Sequence, residues 1–214
     1  IELPRIIFVN KMDKENVNFA KVVSDLHIAF GKKVIPFTLA LGEGENFKGI
    51  IDVLNKKAYE YDGFERKEVE IPEIRVEEVN HVYDTIVEVV AETDDELMEK
   101  FFEGEEFSHE EFMKGVTSAL LNGSAVPLIC GSATTGAGID MLLDIITDYM
   151  PAPNDERAKR GFRNEDDNVR KIDVNEPFSA VVFKTVVDPF VGRISIFKVM
   201  SGKITRDTEI FNST

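Results

Sequence analysis

The sequence contains two short, nearly continuous apolar runs, and each is followed by a polar loop and a helical pattern. The first run is RIIFVN at residues 5–10, and the second is VPLIC at Val126–Cys130. Runs of this kind are typical of parallel strands that are covered on both faces. Two strand, loop and helix units of the same polarity predict an α/β fold, with functional groups at the carboxyl ends of the strands.

The helices that follow these loops have clear boundaries in the sequence. Asn18 is predicted to cap the first helix, which has apolar positions at helical spacing and ends before Gly31. The second helix is predicted over residues 139–150, where prolines stop it. Its predicted buried residues are Leu142, Leu143, Ile145 and Ile146.

The segment between the two units has a different pattern. Three strand-like runs with turns between them lie at residues 34–41, 49–53 and 56–61. They predict a small sheet. After Pro72, apolar residues recur at helical spacing in three stretches. Thr93 and Ser108 each stand three residues before a glutamate, which is the capping-box pattern, so they are predicted to cap the second and third of these helices.

The end of the chain changes character again. Residues 154–176 are polar, charged and poor in apolar side chains, and they are predicted to form a linker. Within residues 177–214, the alternating, β-branched runs PFSAVVFKTVV and GRISIFKVMSG predict the first strands of an all-β domain that the sequence does not complete.

Charge is distributed unevenly along the chain. Apolar residues make up 43% of the 214, which is ordinary for a globular protein, and no apolar run approaches the roughly 20 residues that span a bilayer. The net charge of −15 is concentrated at residues 62–112, where 19 of the 40 acidic residues occur with only four basic ones. Residues 157–206 carry a basic excess. Two faces with different partners are one interpretation, and a solvated acidic helical surface is the other.

The loop after the first strand, NKMD, has the chemistry to bind guanine. Guanine presents N1–H and an amino group on one edge, and the carboxylate of Asp13 can accept from both in a charge-assisted pair. Asn10 can donate toward N7 or tie neighbouring loops together, and the aliphatic stem of Lys11 can lie against the ring. A simple turn is the alternative for so short a motif.

The loop after the second strand offers a partner for this motif. Gly131, Ser132 and Ala133 follow VPLIC at the equivalent place, where small residues let backbone N–H groups approach a planar ring. The amide near Ala133 can donate to guanine O6. A GSA tripeptide alone is commoner as a turn, so the prediction depends on the pair of loops. The predicted guanine-binding residues are Asn10, Lys11, Asp13, Ser132 and Ala133.

The NKMD and GSA pair resembles the guanine-recognition motifs of translational GTPases, and the chain as a whole resembles the elongation factor G family. FKGIIDVLNKKAYEY, DDELMEKFFEGEE and ICGSATTGAGIDMLLDIITDYMPAP are similar to stretches of that family in the same order. Ribosomal protection proteins and the third peptide-release factor share the guanine motifs and are the alternative family. For the chain by itself, an acidic protein-interaction module is a further alternative.

The resemblance implies a domain layout and a set of partners. Residues 1–153 correspond to the carboxyl-terminal part of a P-loop GTPase domain with an α+β insert at about 33–124, and residues 177–214 begin a β-barrel domain. The intact protein is expected to be cytoplasmic and to bind and hydrolyse GTP in ribosomal translocation. The acidic insert is expected to face the stalk protein of the large ribosomal subunit, and the barrel to contact small-subunit RNA.

The sequence lacks the motifs for phosphate chemistry. Neither G-x-x-x-x-G-K-[ST], which holds phosphates and Mg²⁺, nor D-x-x-G occurs in it. We therefore expect a middle portion of a longer GTPase, with the triphosphate and Mg²⁺ contacts of GTP outside it and no hydrolysis by this chain alone. No catalytic residue and no metal site are predicted, because the three histidines lack ligand spacing and Cys130 is expected to fill a buried strand end.

Overall fold

The computed structural model of the protein describes residues 3–152 and 172–212, which form a mixed α/β structure. The strands are β1 (Ile7–Val9), β2 (Val34–Pro36), β3 (Thr38–Leu41), β4 (Gly49–Asp52), β5 (Lys57–Asp62), β6 (Glu65–Val69), β7 (Val126–Cys130), β8 (Ser179–Asp188) and β9 (Gly192–Ser201). The helices are α1 (Phe19–Phe30), α2 (Glu73–Ala91), α3 (Asp95–Glu103), α4 (His109–Asn122) and α5 (Ile139–Tyr149). The chain divides into two compact units, Ile1–Pro151 and Ala152–Thr214.

A three-stranded parallel sheet lies in the first unit. β7 occupies its centre and pairs in parallel with β1 on one side and β2 on the other, which confirms that the two apolar runs are parallel strands of the same polarity. β7 is fully buried, as expected for a central strand. β1 is only half-buried, contrary to the expectation that both its faces are covered, because in the described structure it is the edge of this sheet.

A four-stranded antiparallel sheet, in the order β3-β4-β5-β6, forms the second layer. The predicted strands at residues 49–53 and 56–61 are β4 and β5, and β6 was missed. The predicted single strand at 34–41 is wrong, because it divides at Phe37 into β2 of the parallel sheet and β3 of this one. Phe37 connects the two sheets: its N–H donates to the Leu128 carbonyl of β7, and its own carbonyl accepts from Val53 after β4. Because Phe37 is buried and bonded to both sheets, the antiparallel sheet is held firmly beside the parallel one.

Capping residues confirm most of the predicted helix starts. The side chain of Asn18 accepts from the Lys21 N–H, and Ser108 forms a complete capping box with Glu111. The prediction for Thr93 is wrong: Asp94 caps α3 by accepting from the Glu96 N–H at 2.9 Å. The Thr93 hydroxyl instead donates to the Val90 carbonyl at the end of the preceding helix.

One continuous core extends through both sheets and the surrounding helices of the first unit. α4 packs so closely on α2 that a Cβ added at Gly115 would lie 2.5 Å from Val90 Cγ1. The buried face of α5 differs from the prediction. Ile145 is buried as expected, but Leu143 is 56% exposed and Ile146 is 43% exposed. Met141 and Tyr149, at four-residue spacing from Ile145, occupy the buried face instead.

The second unit contains the antiparallel pair β8 and β9, at the two predicted strand positions. In its turn, an Asp188 carboxylate oxygen accepts from the N–H groups of Phe190 and Val191 at 2.8 and 2.9 Å. Most of the predicted linker, at residues 154–171, lies outside the described residues. Among the described helices, none is long and apolar enough to cross a bilayer.

Candidate functional site

Two polar loops leave the parallel sheet side by side, at the carboxyl ends of β1 and β7. Val9 and Cys130 are register partners, so the two strands end at the same level. The Gly131 N–H donates to the Val9 carbonyl at 3.0 Å, and the Met12 N–H donates to the Gly131 carbonyl at 3.1 Å. These bonds continue the pairing beyond the strands, and they bring NKMD against GSA as the sequence pattern predicts.

Asn10 joins the two loops through its side chain. Its amide oxygen accepts one hydrogen bond from the Lys11 N–H at 2.8 Å and another from the Ala133 N–H at 3.0 Å. Both Asn10 and Ala133 are exposed, so this bond lies at the open surface of the loops. Two roles were considered for the Asn10 amide, and this hydrogen bond corresponds to the one in which Asn10 ties neighbouring loops together.

Asp13 lies next to Ser132, which is fully buried. The Ser132 hydroxyl and, with less effect, the Lys14 ammonium at 3.1 Å lower the pKa of the Asp13 carboxyl, although no hydrogen bond of regular geometry joins the hydroxyl to it. The carboxylate is therefore ionised at neutral pH. Its Oδ1 atom is shielded from solvent and has no hydrogen-bond partner among the described residues.

Met12 is a site residue that the sequence reasoning missed. Its side chain is fully buried in the core, while the neighbouring Lys11 is exposed and adopts a positive φ of 66°. The Met12 carbonyl accepts from the Gly44 N–H at 3.0 Å, while the Met12 N–H donates to the Gly131 carbonyl. Met12, which lies between the polar residues Lys11 and Asp13, thus anchors the NKMD loop to the core. An apolar residue inside an otherwise polar motif was the available signal.

The loop after β7 is folded tightly on itself. The Ser132 N–H donates to the Ala137 carbonyl at 2.9 Å, and the Ser132 hydroxyl accepts from the Thr135 N–H at 3.4 Å. A Cβ added at Gly131 would lie 2.4 Å from the Ala137 oxygen and 3.0 Å from Phe8 Cζ. Glycine is therefore required there by space, and Ser132 is held by its own loop.

The two adjacent loops bring together the ionised carboxylate of Asp13, the amide of Asn10 and the ammonium-bearing side chain of Lys11. It does not present a metal or nucleophile centre: in residues 3–152 and 172–212, no three His, Cys, Asp or Glu side chains are grouped as metal ligands. Burial raises the pKa of the Cys130 thiol to about 12, and the thiol accepts from the Thr38 hydroxyl. A protonated, buried thiol is a packing group.

The fold and the two sequence profiles that match it define the class: a portion of a GTPase domain followed by the first strands of a second domain. The profile of the elongation factor Tu GTP binding domain matches residues 1–152, and that of elongation factor G domain 2 matches residues 177–214. The chain therefore belongs to the family of elongation factor Tu GTP binding domains, and the predicted fold class is confirmed.

Individual relatives confirm the resemblance to elongation factor G. Elongation factor G of Thermotoga petrophila is 40% identical over 99% of this chain, and an elongation factor G-like protein of Thermotoga maritima is 38% identical over 98%. A crystal structure of a Thermus thermophilus protein superposes with a TM-score of 0.76 at 31% identity, over 94% of this chain. The chain spans 31%, 30% and 28% of the lengths of these three proteins.

Proposed function

We propose that this chain is the middle portion of a translation elongation factor G, whose intact form binds and hydrolyses GTP to drive ribosomal translocation. Elongation factors G are similar to it along nearly its whole length, and the two family profiles match it in the expected order. In this proposal, residues 1–153 are part of the nucleotide domain with an insert at about 33–124, and a linker at 154–176 precedes the barrel at 177–214.

The unpaired Oδ1 atom of Asp13 is the observation that carries the guanine assignment. A buried carboxylate oxygen without a partner is costly, and such atoms are usually satisfied by a ligand or by water. Guanine N1–H and its 2-amino group are a matching pair of donors for an ionised carboxylate. Adenine lacks this pair of donors on that edge, so binding it would leave the carboxylate unsatisfied.

The other predicted residues have roles that fit their places in the two loops. The exposed stem of Lys11 covers one face of the base, and Ser132 lowers the pKa of the Asp13 carboxyl. Asn10 keeps the two loops together and donates from its amide nitrogen toward N7. The Ala133 N–H already donates to Asn10, so guanine O6 has to share this donor or replace the Asn10 oxygen.

The phosphate chemistry belongs to segments that this sequence does not contain. GTP and GDP are the proposed ligands of the intact protein, and Mg²⁺ when bound would neutralise charge on the phosphate oxygens. The base contacts described here supply selectivity for guanine. The chain alone is proposed to hydrolyse nothing and to bind guanine nucleotide weakly or not at all, because the phosphate-binding and D-x-x-G motifs are absent from it.

The charge distribution supports two ribosomal contacts, in a factor that works in the cytoplasm. The acidic helices α2, α3 and α4 are proposed to face the stalk protein of the large subunit, since their exposed glutamates suit a basic partner. The barrel that β8 and β9 begin is proposed to contact small-subunit RNA, to which the basic excess of residues 157–206 is attracted.

Equilibrium binding of nucleotides to the full-length factor tests this function. Calorimetric titration with GDP, ADP and XDP should show that the affinity for GDP is higher than that for each competitor by about two orders of magnitude or more. The 214-residue chain, titrated in parallel, should show a much weaker GDP signal and no GTP turnover. Equal affinity for GDP and ADP in the full-length factor would contradict the assignment.

A further inference from the structure

The antiparallel hairpin of β5 and β6 is bonded to the start of α5, directly after the loop that carries Ser132 and Ala133. The Tyr61 hydroxyl donates to Asp140 Oδ1 at 2.7 Å, and Arg66 Nη1 donates to Asp140 Oδ2 at 2.9 Å. Both carboxylate oxygens of Asp140 therefore have a partner on the hairpin. Asp140 is the second residue of α5, so these bonds fix the point where the loop enters the helix.

Arg66 is itself held in place. Its guanidinium lies over the Tyr59 ring, 4.8 Å from the ring centroid, and it also reaches Asp144 Oδ2 at 3.5 Å, one turn further along α5. A planar guanidinium that stacks on a ring and donates to two carboxylates has few alternative rotamers. The link between hairpin and helix is therefore a positioned contact between two ordered elements.

The tip of the hairpin rests on the loop itself. A Cβ added at Gly136 would lie 2.7 Å from Phe64 Cδ1 and 2.9 Å from the Gly63 carbonyl oxygen. Phe64 is 75% exposed, so burial of its ring does not explain why it lies against Gly136. It covers the segment between Ser132 and the helix, and it limits movement of that segment away from the sheet.

The same antiparallel sheet also holds the other loop. After β3, the Glu43 carboxylate accepts from the Phe19 N–H at 2.9 Å, and the Gly44 N–H donates to the Met12 carbonyl at 3.0 Å. The first bond caps α1 and the second holds the NKMD loop. Both ends of one sheet thus contact the two loops of the candidate site.

We propose that the antiparallel sheet is a positioning element for the guanine site, with Tyr61 and Arg66 setting the loop of Ala133 and the Gly44 N–H setting the loop of Asp13. This proposal rests on the proposed guanine function and adds positioning residues to it. Tyr61 and Arg66 act through Asp140, and Gly44 acts through the Met12 carbonyl, so all three are positioning residues. A partner that shifts this sheet would change guanine affinity.

The two loops read different atoms of the base, so the proposal makes an atom-specific prediction. The Ala133 amide serves guanine O6, and Asp13 serves the 2-amino group and N1–H. A hydrogen bond displaced by about 1 Å is largely lost. A loosened Ala133 loop should therefore weaken recognition of O6 and leave recognition of the 2-amino group intact.

The experiment uses the full-length factor and three diphosphates: GDP, inosine diphosphate, which lacks the 2-amino group, and 6-thioguanosine diphosphate, which keeps N1–H and the 2-amino group but has a weakly accepting sulfur in place of O6. Tyr61→Phe removes a single oxygen and keeps the ring, so the sheet stays folded. We expect GDP affinity to fall about tenfold, with most of the preference over 6-thioguanosine diphosphate lost and the preference over inosine diphosphate retained. Arg66→Lys, which keeps a cation for Asp140, should fall between wild type and Tyr61→Phe.

Two further variants complete the test. Gly44→Ala, which adds a Cβ 3.3 Å from the Lys14 carbonyl oxygen at a φ of +60°, should show the opposite selectivity, with the preference over inosine diphosphate reduced. Glu68→Gln removes the exposed Lys57–Glu68 bridge between the same two strands, away from the loop, and should leave all three affinities unchanged. Unchanged selectivity in Tyr61→Phe, with wild-type thermal stability, would overturn the positioning role alone. A wild-type factor that does not prefer GDP to ADP would overturn the guanine function and this proposal together.

Discussion

A single hydrogen bond, 3.0 Å long, connects the Asn10 amide oxygen to the Ala133 N–H across 123 positions of the chain. The bond exists because β1 and β7 are adjacent parallel strands that end at the same level. Between them in sequence lie β2, which is the third strand of the same sheet, the whole antiparallel sheet and four helices. The two loops therefore meet although most of the first unit lies between them in sequence.

The Asn10 tie predicts a specific loss. Asn10→Ala removes the only side-chain acceptor of the Ala133 N–H in the described structure, so both loops should loosen. We expect thermal unfolding to show a loss of about 1 kcal/mol and GDP affinity to fall about tenfold or more. Asn80→Ala, an exposed position on α2, is the matched control and should change neither quantity. Wild-type GDP affinity in Asn10→Ala would refute the tie.

A second prediction concerns the space at Gly131. Gly131→Ala places a methyl group 2.4 Å from the Ala137 oxygen, so the loop must shift, and we expect a loss of about 2 to 3 kcal/mol in urea unfolding. Gly104→Ala is the comparison, because its φ is +74° but nothing lies within 4 Å of the added atom. It should cost only about 1 kcal/mol, for the backbone conformation. Equal costs would show that the close approach at Gly131 is not rigid.

The capping box of α4 predicts a pH dependence of stability. The Lys100 ammonium, and then the backbone and hydroxyl of Ser108, lower the pKa of Glu111 to about 2, below its ordinary value of 4.5. A group with a lowered folded-state pKa stabilises the protein above its unfolded-state pKa, and that stabilisation is lost as pH falls toward the folded-state value. The contribution of Glu111 should therefore be complete at neutral pH and disappear between about pH 4.5 and 2.

Urea unfolding of wild type and Glu111→Gln at several pH values measures this contribution. The difference in free energy of unfolding should be constant above about pH 5 and shrink to near zero at about pH 2. Glu110→Gln, the neighbouring exposed acid in the same first turn, is the control and should show a smaller difference throughout. A difference for Glu111→Gln that does not vary with pH would mean that the carboxylate charge contributes nothing.

The acidic surface of the helices predicts salt-sensitive binding to the stalk protein. Glu103, Glu105 and Glu106 are exposed at the end of α3 and beside the exposed ring of Phe102. Reversing these three charges to lysine should weaken binding of the stalk protein's carboxyl-terminal domain about tenfold or more at low salt, and less at high salt. Reversal of Glu15 and Asp25, which are exposed elsewhere in the first unit, should have little effect. No loss on reversal would leave the acidic surface as solvation.

The sequence pattern was sufficient where local chemistry decides the structure. Asn18 caps α1 and Ser108 begins α4 because each forms its bonds within one helical turn. It failed at β6, whose residues ERKEV are mostly exposed and follow no apolar alternation, since only pairing with β5 makes them a strand. It also failed at Thr93, where two adjacent capping residues competed and Asp94 is the one that bonds.

The candidate site could be predicted in part for the same reason. Motif chemistry predicts Asn10 and Asp13 as site residues, because their side chains suit guanine by type, and the fold places them beside the loop of Ala133. Three features depend on residues distant in sequence, and only the folded structure shows them. They are the burial of Met12, its bond from Gly44 and the unpaired oxygen of Asp13. The bracing of the loops by Tyr61 and Arg66 is of the same kind.

Exchange of base preference by Asp13→Asn tests the central claim most directly. An amide at this position can donate to the C2 carbonyl of xanthine. It carries no negative charge, so it loses the charge-assisted pair with guanine N1–H and the 2-amino group. In the full-length factor, calorimetric titration should show GDP affinity falling about 100-fold or more while XDP affinity rises, and Asp25→Asn should behave as wild type. GDP binding that is unchanged in Asp13→Asn, with no gain for XDP, would contradict the account.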